Sequence, residues 1–229
     1  MTSGIGESKP LAVLVDVDGT LVDSVYHHAL AWQRAFEDHG VHVPAWVLHR
    51  HIGMGGDQLI AAVSGEGVEH RIGDRIREAE ARRYGELIDE VRPLPGAREM
   101  IVALKDGGCR VSLATSAKEH EIARYLELLT LEGVLDDYTT ADDVERTKPD
   151  PDMIRRALHR VGGPPAVVVG DATWDSIAAR AADIGSVGVL TGGFSAEELR
   201  GAGATEVFED LDAVTEHLIS AVAGQDGAR

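Results

Sequence analysis

Two carboxylates, Asp16 and Asp18, directly follow the uncharged run Leu11-Ala-Val-Leu-Val15 and precede Gly19-Thr20. A short apolar run rich in β-branched residues reads as a buried strand, and in open parallel sheets ligands bind beyond the carboxyl ends of the strands. On an extended backbone residues i and i+2 share a side, so Asp16 and Asp18 converge while Val17 turns away. Two anions that close require a cation between them. A hard divalent ion such as Mg²⁺ suits carboxylate and carbonyl oxygens, and it leaves one carboxylate oxygen for nucleophilic attack. The same residues also suit an aspartate cluster that caps a turn, with Gly19 supplying the bend.

Three more polar segments follow strand-like runs. Arg110-Val-Ser-Leu-Ala114 leads into Thr115-Ser116, Asp137 to Thr140 precedes Thr147-Lys148-Pro149-Asp150-Pro151, and Ala166-Val-Val-Val169 leads into Gly170-Asp171-Ala-Thr-Trp-Asp175. With Asp16-Val-Asp18-Gly-Thr20 at the front, this ordered set resembles the haloacid dehalogenase superfamily, and the resemblance runs to about Leu218. It implies a phosphoryl-transfer site. Asp16 would be the nucleophile that forms an aspartyl-phosphate, and Asp18 the acid and base that protonates the leaving alkoxide and then activates water. Asp16, the backbone carbonyl of Asp18, and Asp171 would hold Mg²⁺, with Asp175 behind them orienting a metal-bound water or Lys148. Thr115, Ser116 and Lys148 would bind phosphate. Dehalogenases of this superfamily lack an aspartate at the position of Asp18, so its presence favours phosphate esters.

The residue types fit that chemistry on their own terms, because phosphoryl transfer needs an in-line nucleophile, cations on the phosphoryl oxygens and a proton donor for the leaving group. The amides of Ser116 and Ala117 are expected to open a helix and so to offer an anion site. Plainer roles exist for each residue. Thr115 or Ser116 could simply cap a helix, Lys148 could be a solvated loop lysine, and Asp175 could be a first-turn carboxylate favoured by the helix dipole.

The chain has 229 residues, 44% of them hydrophobic and 27% charged, which is ordinary for a globular protein with one large core and a smaller module. No apolar run approaches the ~20 residues of a membrane span, and Met1 to Pro10 lack the apolar centre of a signal peptide. Cys109 is the only cysteine, which excludes an intrachain disulfide and points to the cytoplasm. A net charge of −17 argues against nucleic acid and anionic membranes as partners. It also means that a phosphorylated metabolite must meet local cations, and Lys9, Lys105, Lys118 and Lys148 are the only lysines. The expected assembly is a monomer or small homo-oligomer.

The elements that must position these groups form an α/β pattern with an insertion. After Thr20 the text turns helical, at Val25 to His39 with apolar Leu30, Trp32 and Phe36, at Gly55 to Val63, and at Glu69 to Glu90. Pro93-Leu-Pro95-Gly96 reads as the return hinge. From Gly96 helices and strands alternate, as in a doubly wound parallel, Rossmann-like sheet, with a last helix from about Asp212 to Ala223 and a frayed tail at 225–229. The expected domains are therefore an α/β catalytic core, 1–22 and 93–229, and a helical cap, 23–92. His27, His28, His49, His51 and His70 lie in the cap without the spacing of a metal pair and are expected to be solvated, and Asp142 and Asp143 are expected to be loop acids. Gly55, Gly56 and Asp57, in the loop from Gly53, sit where caps of this superfamily dip a specificity loop over the site.

Within the superfamily the chain looks most like the phosphoglycolate phosphatase and β-phosphoglucomutase branch. Gly170-Asp171-x-x-x-Asp175 with Ala178, Ala179, Ala181 and Ala182 is nearer the phosphatases, since the mutases carry an acid where Gly170 stands and a basic residue on the cap loop. Residues 23 to 92 contain no lysine for a phosphonoacetaldehyde-type Schiff base. The expected activity is a Mg²⁺-dependent phosphatase of small phosphorylated metabolites. A sugar-phosphate mutase and a catalytically weak ligand-binding member are the alternatives.

Overall fold

A computed structural model of the protein describes residues 9–226. Six strands form one parallel sheet: β1 (Ala12–Val15), β2 (Arg110–Ala114), β3 (Asp137–Thr139), β4 (Ala166–Gly170), β5 (Gly185–Val189) and β6 (Glu206–Phe208). Their order is β3-β2-β1-β4-β5-β6. β1 is central and fully buried, in register with Val15 beside Leu113 on β2 and Val169 on β4. The chain leaves β1 toward β2 and β3 on one side and β4 on the other. That is the switch point where open sheets bind ligands, and Asp16, Thr115 and Asp171 all lie just past strand ends there.

Period-two alternation divides β1 between two faces. Val13 and Val15 pack with Met100, Ile101 and Leu104 of α5 (Ala97–Asp106), Ile122 of α6 (Glu119–Leu129), and Leu211 and Leu218 of the last helix. Ala12 and Leu14 face Met153, Ile154 and Ala157 of α7 (Asp152–Arg160), and Ala178 and Ala179 of α8 (Thr173–Ala181). Small alanines let α8 approach the sheet closely. Helices α9 (Ala196–Ala202) and α10 (Leu211–Asp226) complete the layers.

Four helices intervene between β1 and α5: α1 (Val25–Asp38), α2 (Ala45–His49), α3 (Gly56–Ser64) and α4 (Glu66–Gly85). They bury a cluster of their own around Trp32, Phe36, Leu48, Leu59, Ile60 and Ile76. The two chain crossings to this unit lie side by side. Asp23 donates its amide to Arg92 O and Leu94 donates to Leu21 O, both at 2.9 Å, and Val22 bridges Pro93.

The structure revises several expectations. Leu30, expected on the buried face of α1, is 37% exposed, because the stripe that faces α4 runs through Val25, Ala29, Trp32 and Phe36. The expected helix at Glu69 to Glu90 starts earlier and stops at Gly85, and Ile88–Glu90 forms a separate 3₁₀ turn. α2 is too short to show a period. α9 goes unread in the sequence analysis, although Ser195 and Glu198, which make a reciprocal capping box, mark its start. The expected tail at 225–229 is helical as far as Asp226; residues 227–229, like residues 1–8 at the start of the chain, lie outside the described residues. No helix among the described residues is long and apolar enough to cross a membrane.

Leu14 sits at the sheet centre with 0% exposure. Leu14→Ala is expected to lower unfolding free energy by about 2–5 kcal/mol, whereas exposed Leu30→Ala should stay within about 0.5 kcal/mol. Urea unfolding of both variants measures the contrast.

Candidate active site

Asp16 ends β1 and is 3% exposed. The Lys148 ammonium, wholly buried, donates to Asp16 Oδ1 at 2.5 Å and to Asp175 Oδ1 at 2.7 Å. Asp175 sits in the first turn of α8 and also accepts the Ala172 amide at 3.1 Å, so both of its oxygens are engaged. Asp171, just past β4, accepts the Thr20 hydroxyl at 2.6 Å. Gly19 makes this approach possible. Its φ is 82°, and a Cβ there would run into the Asp171 carboxylate and Val25.

The structure therefore brings Asp16, Lys148, Asp171 and Asp175 together. Oxygens of the three aspartates lie within 4.8 Å of one another, and Asp16 Oδ2 is buried without a hydrogen-bond partner. Three carboxylates face one ammonium, an imbalance that a hard cation would offset. An orphaned buried carboxylate oxygen in an all-oxygen cluster fits such an ion. With Asp175 committed to Lys148 and Ala172, Asp16 and Asp171 are the two with oxygens to offer. Burial raises the Asp16 carboxyl to about 7, with Lys148 opposing and Asp175 and Asp18 adding to the rise. Burial, then the charges of Asp16 and Asp175, hold Asp171 well above the ordinary carboxylate range. Lys148 is raised, because Asp16 and Asp175 outweigh the opposing effect of burial.

Asp18 belongs to a second buried network. Its Oδ1 accepts from Ser24 Oγ at 2.6 Å and Tyr125 Oη at 3.0 Å, and lies 3.2 Å from His28 Nε2. The other ring nitrogen of His28 lies 3.2 Å from Glu80 Oε1, and the ring stacks on Tyr84 with centroids 3.7 Å apart. The Tyr84 and Tyr125 hydroxyls also bond each other. Burial opposes ionisation of Asp18, but the His28 charge and the bonds from His28, Ser24 and Tyr125 prevail and lower its pKa. His28 is raised well above its usual value, Asp18 and Glu80 outweighing burial.

This network corrects the expectation that the cap histidines are solvated. His70 is exposed, but His28 is nearly buried against Asp18. His49 bonds Gly192 O at 3.0 Å and stacks on Tyr26, while His51 stacks on Trp174. The signal for His28 was its spacing: it lies one helical turn after Ser24 at the start of α1, the turn nearest Asp18. Asp143, expected as a loop acid, pairs with Arg160 at 2.6 Å, and Asp142 accepts the Glu119 amide at 3.1 Å.

The phosphate-binding candidates divide. Thr115 is buried, and its hydroxyl accepts the Ala117 amide at 3.1 Å. α6 begins at Glu119 with Lys118 as its cap, so the helix expected to open at Ser116 and Ala117 starts later and the Ala117 amide is already engaged. Ser116 donates to Gly53 O of the cap loop at 3.2 Å. Asp57 reaches the other way, accepting the Thr147 amide at 3.1 Å and the Thr147 hydroxyl, one residue from Lys148. Gly55 lies so close to Thr147 that a Cβ would overlap its hydroxyl, and Gly56 faces Trp32. The result is a closed arrangement over a cavity of about 230 Å³ lined by Asp16, Asp18, Thr115, Ser116 and the 53–57 loop.

A family model described as haloacid dehalogenase-like hydrolase matches residues 10–183. A phosphoglycolate phosphatase of Rhodospirillum rubrum is 30% identical over 91% of this chain and 91% of its own length. The validoxylamine A 7'-phosphate phosphatase of Streptomyces hygroscopicus subsp. limoneus is 32% identical over 78% of this chain and 84% of its own. Among solved structures, a hydrolase from Pseudomonas syringae superposes with a TM-score of 0.86 at 35% identity, covering 92% of this chain and 98% of that one.

The raised Asp171 carboxyl stabilises the fold only while protonated; that contribution is full below the unfolded value near 3.8 and is lost as pH rises toward its folded value. In EDTA, Asp171→Asn is therefore expected to melt above the unsubstituted protein, by a margin that grows between pH 4 and pH 7. Mg²⁺ should narrow the margin. Melting curves across pH with and without the ion measure it.

Proposed function

Because the chain belongs to the haloacid dehalogenase-like hydrolase family and is a phosphoric monoester hydrolase, we propose that it cleaves small phosphorylated metabolites through an aspartyl-phosphate on Asp16. One observation carries the reading: a buried Asp16 with one oxygen on Lys148 and the other unpartnered, beside Asp18 at a closed cavity.

One carboxylate oxygen of Asp16 attacks phosphorus in line, and the bond from phosphorus to the leaving oxygen breaks. Lys148 holds the Asp16 carboxylate as an anion and orients it, and Asp175 fixes Lys148 in turn. Asp18 presents Oδ2 to the leaving oxygen while Ser24, His28 and Tyr125 hold Oδ1. Asp18 gives a proton from Oδ2 to the leaving alkoxide, while His28 stays beside Oδ1 and orients the carboxyl. Asp18 then takes a proton from the water that hydrolyses the phospho-enzyme. Thr115, Ser116 and Lys148 line the phosphate position. Asp16, Asp171 and the Asp18 carbonyl would hold Mg²⁺, which when bound neutralises phosphoryl charge.

The division into a core, 1–22 and 93–229, and a cap, 23–92, is supported by the separate apolar cluster of the cap and by the paired crossings at 21–23 and 92–94. Opening about these crossings would admit substrate and water, and closure would exclude stray water during transfer. The loop at Gly55, Gly56 and Asp57 would help choose the substrate. The lone buried Cys109 supports a cytoplasmic setting. The mutase reading lacks a basic residue between Gly53 and Leu59 to hold a second phosphate.

Phosphate release should vanish in EDTA and return with Mg²⁺; full turnover in verified metal-free protein overturns the role of the ion. Asp16→Asn should abolish both turnover and the acid-stable radiolabel left by a ³²P-labelled ester. Asp18→Asn should slow turnover by ~10²- to 10⁴-fold. Wild-type turnover in Asp16→Asn excludes the covalent route.

A further inference from the structure

Beyond the phosphate position the cavity wall is acidic and partly unsatisfied. Glu80 on α4 and Glu121 on α6 both line it and are 6% and 4% exposed. Each has one oxygen engaged by the protein, Glu80 Oε1 by His28 and Glu121 Oε2 by the Lys118 amide at 2.8 Å. Among the described residues Glu80 Oε2 and Glu121 Oε1 make no hydrogen bond; the His120 ring nitrogen lies 4.0 Å from Glu121 Oε1.

Little positive charge faces these two acids. Arg77 lines the cavity, but its guanidinium is taken by Glu69, Asp74 and the Gly56 carbonyl. The loop from Gly53 to Leu59 has no basic residue. His28 lines it too, but its two ring nitrogens are taken by Asp18 and Glu80; Lys118 remains, against Glu80, Glu121 and Glu145. Trp32 contributes an apolar face to the same space.

A leaving group in this part of the cavity meets two buried acceptors and an indole. Hydroxyl or ammonium groups can donate to the free oxygens, and the carbon face of a polyol can lie against Trp32. A carboxylate can donate nothing and adds another anion to the wall. We infer that this site selects esters whose leaving group is a neutral or amine-bearing polyol, and rejects carboxylate-bearing ones, with Glu80 and Glu121 as the selecting residues. The inference rests on the phosphatase reading of the same site and narrows it.

Two matched pairs of esters test it on the Mg²⁺-loaded enzyme: glycerol 3-phosphate against 3-phosphoglycerate, and glucosamine 6-phosphate against 6-phosphogluconate. In each pair kcat/KM is expected to favour the ester without the carboxylate by about tenfold or more. Glu121→Gln should shrink both ratios by about threefold or more, and Glu121→Asp should restore part of the preference. Ratios within a pair cancel any shared effect on the chemical step. Equal or reversed wild-type ratios with normal turnover overturn the inference and leave the phosphatase reading intact. If no ester is hydrolysed, p-nitrophenyl phosphate included, the phosphatase reading fails and takes the inference with it. Unchanged ratios in Glu121→Gln remove Glu121 from the selection, and if that variant does not fold the wild-type ratios decide.

Discussion

The structure depends on one buried ammonium. Lys148 has no exposed surface and sits between Asp16 and Asp175. Burying a charge costs several kcal/mol unless it is paired, and removing one partner of a buried pair leaves the other uncompensated. The arrangement is tolerable because each member is held by a different part of the fold. Asp16 is fixed by β1, Asp175 by the first turn of α8 and the Ala172 amide, and Lys148 by the loop that precedes α7. A surplus of carboxylate remains after Lys148 is counted, which a cation would offset. Burial, with the neighbouring carboxylates adding to it, keeps Asp16 and Asp171 above their ordinary range.

A second constraint comes from the inserted helices. They have their own apolar cluster, yet they enter and leave the core through two adjacent segments that hydrogen-bond each other. Position relative to the core is then set by Ala31 and Tyr84, which pack into the core's apolar cluster, and by polar contacts around the cavity: Ser116 to the Gly53 carbonyl, Thr147 to Asp57, and His49 to the Gly192 carbonyl. Arg50 adds a surface pair with Glu198 and lies 3.9 Å from the Phe194 ring centroid. Such contacts are individually small and partly solvated.

Asp18 is where the two units meet most closely. Ser24, His28, Glu80 and Tyr84 come from the inserted helices, and Tyr125 and Glu121 from α6 of the core. The protonation of Asp18 is therefore set by the cap as much as by its own strand. On the proposed mechanism, closure and proton transfer would share these atoms.

The sequence by itself determined the sheet, most helices and the residues Asp16, Lys148, Asp171 and Asp175, because buried parallel strands have a plain signature: Leu11 to Val15 and Ala166 to Val169 are uncharged runs with polar groups at one end. Strand ends then placed Asp16 and Asp171 together, and the family resemblance added Lys148 and Asp175, before any contact was known. The inserted helices were legible as helices, but of the apolar residues Leu30, Trp32 and Phe36 that mark α1 only the last two are buried, because periodicity cannot say where a stripe ends until its partner is present. What only the tertiary structure decided is which polar groups meet. His28 and Glu80 are 52 residues apart and Tyr125 is 107 from Asp18; apart from the spacing of His28 after Ser24, nothing local marks these side chains as sharing a buried network. Likewise, Thr147 stands beside Asp57 only because the cap folds back over the core. Side-chain pairing across units depends on how packed helices orient relative to the sheet, and that information resides in the three-dimensional packing rather than in any one segment.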